Sequence, residues 1–89
     1  ISDFAFDGCK SLHTIFLSSD LNNIGDFAFL DCPSLAFISL PSSVVEIGAY
    51  AFMLCSSLKT IEIPKGSYSR FVVMDGVKGL EDKLKEIEQ

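Results

Sequence analysis

The feature that most constrains this chain is an internal period of 23 residues. Ile1, Ile24 and Ile47 open three units. Ala5, Ala28 and Ala51 stand before Phe6, Phe29 and Phe52, and Cys9, Cys32 and Cys55 follow. Ser11, Ser34 and Ser57 precede Leu12, Leu35 and Leu58; then come Ile15, Ile38 and Ile61, and after them Leu17, Leu40 and Ile63. Eight positions keep their type across three units without a gap, which chance does not give. A fixed period of this length marks one supersecondary unit per repeat. A single unit cannot bury its own apolar face. Stacked units can, because each Ile, Leu and Phe lies on its counterpart one rung away.

Inside a unit the pattern has two parts. Leu58-Lys59-Thr60-Ile61-Glu62-Ile63 ends in apolar/polar alternation, the mark of a half-buried strand. Leu35 to Leu40 and Leu12 to Leu17 are its equivalents, and Pro41 and Pro64 stop the strand because proline cannot donate to a ladder. A shorter extended piece, Val44-Val45-Glu46-Ile47, leads to Gly48. Ala49 to Cys55 has helical character and is long enough for about two turns. A strand, a turn and a short helical turn fill such a unit, whereas a full crossover helix does not fit. The expected fold is an α/β solenoid: a right-handed stack whose equivalent strands form a parallel sheet, spaced by about 4.8 Å.

The run Ile-Gly-x-x-Ala-x-x-x-Cys-x-Ser-Leu-x-x-Ile-x-Leu-Pro, as in Ile24-Gly25 through Pro41 and nearly so in Ile47-Gly48 through Pro64, resembles the BspA-like (treponema-type) leucine-rich repeat. The resemblance covers roughly residues 1–64. The first unit departs from it, with Ser2 in place of glycine and Ser18 in place of proline. The resemblance implies extracellular or cell-surface proteins of anaerobic bacteria and some parasitic protists, often linked to adhesion. On this reading residues 1–64 are three repeats (1–23, 24–46 and an incomplete 47–64), and residues 65–89 form a C-terminal cap.

After Pro64 the period fails: Arg70 stands where an apolar residue is due, and no fourth Ala-Phe or Cys appears. Ser67 is placed as an N-cap. Tyr68, Phe71 and Val72 fall on one helical face, and Gly76 is a natural stop. Repeat arrays need an atypical terminal unit to cover the last rung. In the family, a Pro-Lys-Gly-Ser segment, a short helix and a final strand close the array, and Pro64-Lys65-Gly66-Ser67 matches that opening. Leu80, Leu84 and Ile87 have helical spacing, while Leu84-Lys85-Glu86-Ile87-Glu88 also reads as a charged edge strand. Both assignments stay open for residues 80–89.

Composition sets the outer bounds. With 89 residues the chain holds one small domain. Its longest apolar runs are four or five residues, as in Phe27-Ala28-Phe29-Leu30, against about 20 for a membrane helix. The chain starts at Ile1 in mid-pattern and without a signal peptide, and so reads as an excerpt of a longer protein. Net charge is −5, carried by residues 1–64, where Lys10 and Lys59 face seven acids. An acidic body without a basic stripe argues against nucleic acid and against anionic membrane surfaces.

The residues that might carry chemistry all have a plainer reading. Cys9, Cys32 and Cys55 occupy one point on successive rungs, with side chains parallel and inward, so they pack as small apolar groups. A disulfide would need side chains directed at each other, and a metal would need ligands converging from several directions. His13 is the sole histidine; it follows Leu12 and faces solvent, without a nucleophile and acid arranged around it. Ser11, Ser34 and Ser57 recur with the period and read as turn residues bonding the local backbone. Gly25 and Gly48 read as turn glycines. No phosphate-binding or dinucleotide motif is present, so neither catalysis nor a cofactor is expected.

The expected working surface is the concave sheet. The residues alternating with Ile and Leu point outward: Thr14 and Phe16, Phe37 and Ser39, Thr60 and Glu62. His13, Ala36 and Lys59 lie beside them. Phe16 and Phe37 either cover each other across adjacent strands or form an exposed apolar patch for a partner. Three rungs give a face on the order of 240 Å², whereas a stable protein interface takes about 800 Å² per partner. Two functions follow: a non-catalytic, surface-displayed module binding a protein or glycan, or a structural spacer and capping segment. An open edge on the first rung would also permit self-association.

Overall fold

The computed structural model describes residues 1–88; Gln89, the last residue of the expected terminal segment, lies outside the described residues. Among the described residues there are five strands: β1 (Asn23–Ile24), β2 (Phe37–Ser39), β3 (Glu46–Ile47), β4 (Thr60–Pro64) and β5 (Leu84–Ile87). A single helical turn, α1 (Tyr68–Phe71), and two 3-10 turns, Asp75–Val77 and Glu81–Lys83, lie between β4 and β5. The pairing is parallel throughout and follows the period. Ile24 faces Ile47 in the β1–β3 pair, Ile38 faces Ile61 in β2–β4, and Ile61 faces Leu84 in β4–β5. The chain is therefore a repeat fold with two small parallel sheets.

The core follows from the same register. Ile24, Ala28, Phe29, Cys32, Leu35, Ile38 and Leu40 of the second unit are all buried, and most of their counterparts in the third unit are too. Phe6, Phe29 and Phe52 stack as nearly parallel rings, with centroids 5.1 and 5.5 Å apart.

The arc from residue 49 to 55 is not the expected helix. It is a string of turns in which alternate N–H groups donate back within the arc, while the carbonyls of alternate residues accept from the unit below. Ala51 donates back to Gly48, Met53 to Tyr50 and Cys55 to Phe52. In the unit below, Phe27, Phe29 and Asp31 donate upward to the carbonyls of Ala49, Ala51 and Met53 at 2.8–3.0 Å. Phe4, Phe6 and Gly8 do the same to Asp26, Ala28 and Leu30. A helix would direct its N–H and C=O groups along its own axis and leave the rungs unjoined here. The alternation requires a left-handed residue at the fourth and eighth positions of each unit: Phe4 and Gly8, Phe27 and Asp31, Tyr50 and Leu54 all have φ between 56° and 73°.

Gly25 and Gly48 have no positive φ; they are glycine because of close approach. A Cβ on Gly48 would lie 2.5 Å from the Asp26 amide nitrogen and 2.7 Å from the Gly25 carbonyl carbon. Gly25 meets Asp3 and Ser2 in the same way. The aspartates belong to this junction. The Asp3 carboxylate accepts the Asp26 N–H at 2.8 Å, and the Asp26 carboxylate accepts the Ala49 N–H at 2.9 Å.

Two further expectations change. Leu12 to Leu17 form no strand; the long Ala36 N–H to His13 carbonyl bond (3.4 Å) is what joins this stretch to the next rung. Residues 84–87 settle as a strand, because Leu84 and Ile87 fall in register over Ile61 and Pro64. Pro64 is the last residue of β4 rather than a stop outside it.

The C-terminal segment also differs in detail from its expected form. The helical turn ends at Phe71, and the Ser67 hydroxyl donates to the Pro64 carbonyl instead of capping the helix. The Tyr68 N–H is accepted by the Glu86 carboxylate at 2.9 Å. Phe71 is buried while Tyr68 is exposed. Gly76 does not end the helix. It lies flat on the third unit, where a Cβ would meet the Ile47 side chain and the Gly48 carbonyl oxygen. Arg70, which breaks the apolar pattern, sends its guanidinium to the carbonyls of Ser42 and Val44 and rests over the Phe71 ring.

Candidate functional site

The sheet β2–β4–β5 carries the outward positions. Alternation holds in it: Ile38, Ile61 and Ile63 are buried, while Phe37, Ser39, Thr60 and Glu62 face out at partial exposure. The register builds two rows across the strands. Phe37 stands beside Thr60, and Ser39 beside Glu62 and then Lys85. Lys85 extends the face by one strand. The sequence left that stretch open between helix and strand, so Lys85 escaped notice; its place 23 residues after Glu62 was the available signal.

His13, Thr14 and Phe16 lie outside the hydrogen-bonded sheet, because the first unit forms no strand. All three are exposed, and the His13 Nδ1 sits 2.8 Å from the Ser11 carbonyl. Lys59 is exposed, and its N–H donates to the Ala36 carbonyl at 2.9 Å. Phe16 and Phe37 do not cover each other: Phe16 is 94% exposed and Phe37 43%. The period explains this. Phe16 is the equivalent of Ser39, and Phe37 of Thr14, so the two rings stand on a diagonal and not side by side.

A second aromatic stack was missed. Phe4, Phe27 and Tyr50 have ring centroids 5.0 and 5.5 Å apart, parallel to the Phe6–Phe29–Phe52 stack. The recurrence of an aromatic two residues before each of those phenylalanines was its signal.

The cysteines form a ladder with a job in the backbone. The Cys32 thiol donates to the Phe6 carbonyl at 3.1 Å, and the Cys55 thiol to the Phe29 carbonyl at 3.0 Å. All three are free thiols. Burial pushes the Cys32 thiol up, and it pushes Cys55 up to about 11. Reactivity belongs to the thiolate, so these two groups are held in their unreactive form. Ser34 likewise bonds across units and not locally, its hydroxyl donating to the Lys10 carbonyl at 2.8 Å. Among the described residues no group of three His, Cys, Asp or Glu side chains is placed to hold a metal ion. No helix there is long and apolar enough to cross a membrane.

The stacked units, the Cys-x-Ser-Leu run and the parallel strands define a leucine-rich repeat protein. A family model described as the BspA type leucine rich repeat region, in six copies, matches residues 1–71. The chain belongs to that family. No curated protein and no solved structure matches it at a significant level. The leucine-rich repeat is a module commonly used for protein binding, and such repeats are generally non-enzymatic.

Proposed function

We propose that this chain is a non-catalytic binding module, displayed at a cell surface or secreted, that engages a protein or glycan through the outward face of its sheet. The observation that carries the reading is the pair Phe16 and Phe37, two aromatic rings on a diagonal of one open face that do not cover each other. Exposed apolar clusters rimmed by polar residues mark interaction sites. His13, Thr14, Ser39, Lys59, Thr60 and Glu62 form that rim, with Lys85 added at its far side. In this reading the chain is a right-handed solenoid of units 1–23, 24–46 and 47–64, closed by residues 65–89 as a cap. The register of Leu84 on Ile61 supports the cap as a modified fourth unit. Adhesion is the biological setting that fits a surface-displayed member of this family.

A second reading, a rigid spacer and capping segment, is favoured by size. Four rungs at ~4.8 Å by five residues at ~3.3 Å give about 320 Å², still well under the ~800 Å² of a stable protein interface. A glycan or short peptide suits such a face, while a globular protein would need additional rungs. The test is binding of the wild-type protein and a Phe16→Ser/Phe37→Ser variant to a panel of host proteins and glycans. Selective loss of one interaction with an unchanged circular dichroism spectrum is expected. Unchanged binding would favour the spacer.

A further inference from the structure

The C-terminal segment covers the strand side of the third unit and leaves part of its turn side open. The third unit takes fourteen residues to travel from Ile47 to Ile61. The segment above takes only eight from Gly76, which lies on Ile47 and Gly48, to Leu84, which lies on Ile61. This shorter path cuts the corner. It leaves a groove of about 710 Å³ between Tyr50, Met53 and Leu54 on one wall and Gly76, Lys78 and Leu80 on the other. That volume falls in the range of roughly 300–1,000 Å³ typical of small-molecule sites. Phe52, next but one to Tyr50, is 4% exposed and already covered. The free space is therefore a pocket beside Tyr50 rather than a track along the whole arc.

The lower junctions show what completes a surface of this kind. The Phe4 N–H donates to the Asp26 carbonyl at 3.0 Å, and the ring of the next residue, Phe27, stacks on Phe4 at 5.0 Å. The Phe27 N–H donates to the Ala49 carbonyl at 3.0 Å, and the ring of the next residue, Tyr50, stacks on Phe27 at 5.5 Å. At the third unit both contacts lack their second member. The Tyr50 N–H has no acceptor among the described residues, and Tyr50, 60% exposed, lines the groove. The covering fragment is chemically the same at both lower junctions: a carbonyl, its amide nitrogen, two carbons and an aromatic ring.

We infer that this pocket binds a small N-acylated arylethylamine, whose acyl oxygen accepts the Tyr50 N–H and whose ring stacks on the Tyr50 ring. Stacked aromatic rings attract beyond the area they bury, and the backbone bond fixes the orientation of the ligand. A free small molecule suits the space better than the same fragment inside a polypeptide. A polypeptide would have to continue past the ring-bearing residue toward Phe52, which is already covered. The rest of the lining suits a neutral ligand. Lys78 and Asp75 neutralise each other at 3.1 Å, and Met53, Leu54 and Leu80 are apolar. The pocket lies on the turn side, away from the sheet that carries Phe37, so the assignment stands independently of the binding face proposed above.

The test is a titration of the full chain with N-phenethylacetamide, followed by nuclear magnetic resonance. The expected result is a saturable downfield shift of the Tyr50 amide together with an upfield shift of the Tyr50 ring protons, both retained in Phe16→Ser/Phe37→Ser. Phenethylamine, which lacks the carbonyl, and N-ethylacetamide, which lacks the ring, should bind about tenfold or more weakly. Tyr50→Asn removes the ring and keeps a residue that tolerates the positive φ of this position, and it should weaken binding to the same degree. Ser56→Trp, exposed at the groove, serves if that variant does not fold. No saturable shift by ~10 mM ligand, or equal binding by either truncated probe or by the variants, would overturn the assignment. Tighter binding of N-acetylphenylalanine methylamide would overturn the source in favour of a polypeptide segment.

Discussion

Truncating Phe29 to alanine removes the middle ring of a three-ring stack. Phe29 is fully buried, with Phe6 below at 5.1 Å and Phe52 above at 5.5 Å. Buried phenylalanine truncations cost about 3–5 kcal/mol. Two stacked pairs are lost together, each worth ~0.5–1.5 kcal/mol beyond area burial, so the upper part of that range is expected here. For 89 residues the whole folding free energy is on the order of 4–13 kcal/mol, so Phe29→Ala removes a large share of it. The melting temperature should fall by on the order of 12–40 °C. Phe6→Ala is the internal comparison. Phe6 is half-buried and has one stacking neighbour, so its loss should cost about 1–2 kcal/mol. Urea unfolding followed by circular dichroism measures both. A Phe29→Ala cost below ~1 kcal/mol, or one no larger than that of Phe6→Ala, would refute the claim that rung-on-rung stacking of this ladder holds the units together.

Gly48→Ala should destabilise by about 1–3 kcal/mol through overpacking, because its Cβ would strike the Asp26 and Gly25 backbone. Gly66→Ala, at a φ of +83° with open space around it, meets only conformational strain and should cost less in the same unfolding assay. For the thiols, the folded Cys55 value of about 11 lies above the usual 9.0. Its contribution is therefore intact below about pH 9 and is lost as pH rises toward about 11, because the unfolded chain sheds the proton first. Urea midpoints should decline across that window, and Cys55→Ala should flatten the decline. Maleimide labelling at pH 8 should be slow at Cys32 and Cys55 in the native protein and fast in urea; fast native labelling at both would contradict the ladder.

The spacing of Ile, Phe, Cys and Leu residues determined by itself that this chain stacks in units, which residues enter the core, and which face of each strand turns outward. Those properties are local and periodic, so a one-dimensional pattern records them. The exposure of Phe16 and Phe37 was legible only as one of two alternatives. Their diagonal placement was implicit in the period, whereas the lack of a strand in the first unit was not. The tertiary structure alone decided three other things. The arc from residue 49 to 55 forms turns, although its composition favours a helix, because its carbonyls at Ala49, Ala51 and Met53 are turned to accept from the unit below. Gly25, Gly48 and Gly76 are glycines because of the backbone that lies against them, a contact no local rule reports. A groove lined by Tyr50, Leu54, Gly76 and Leu80 arises from the different lengths of two stacked paths. Its existence rests on where Gly76 and Leu84 land, and that is a property of the packed chain.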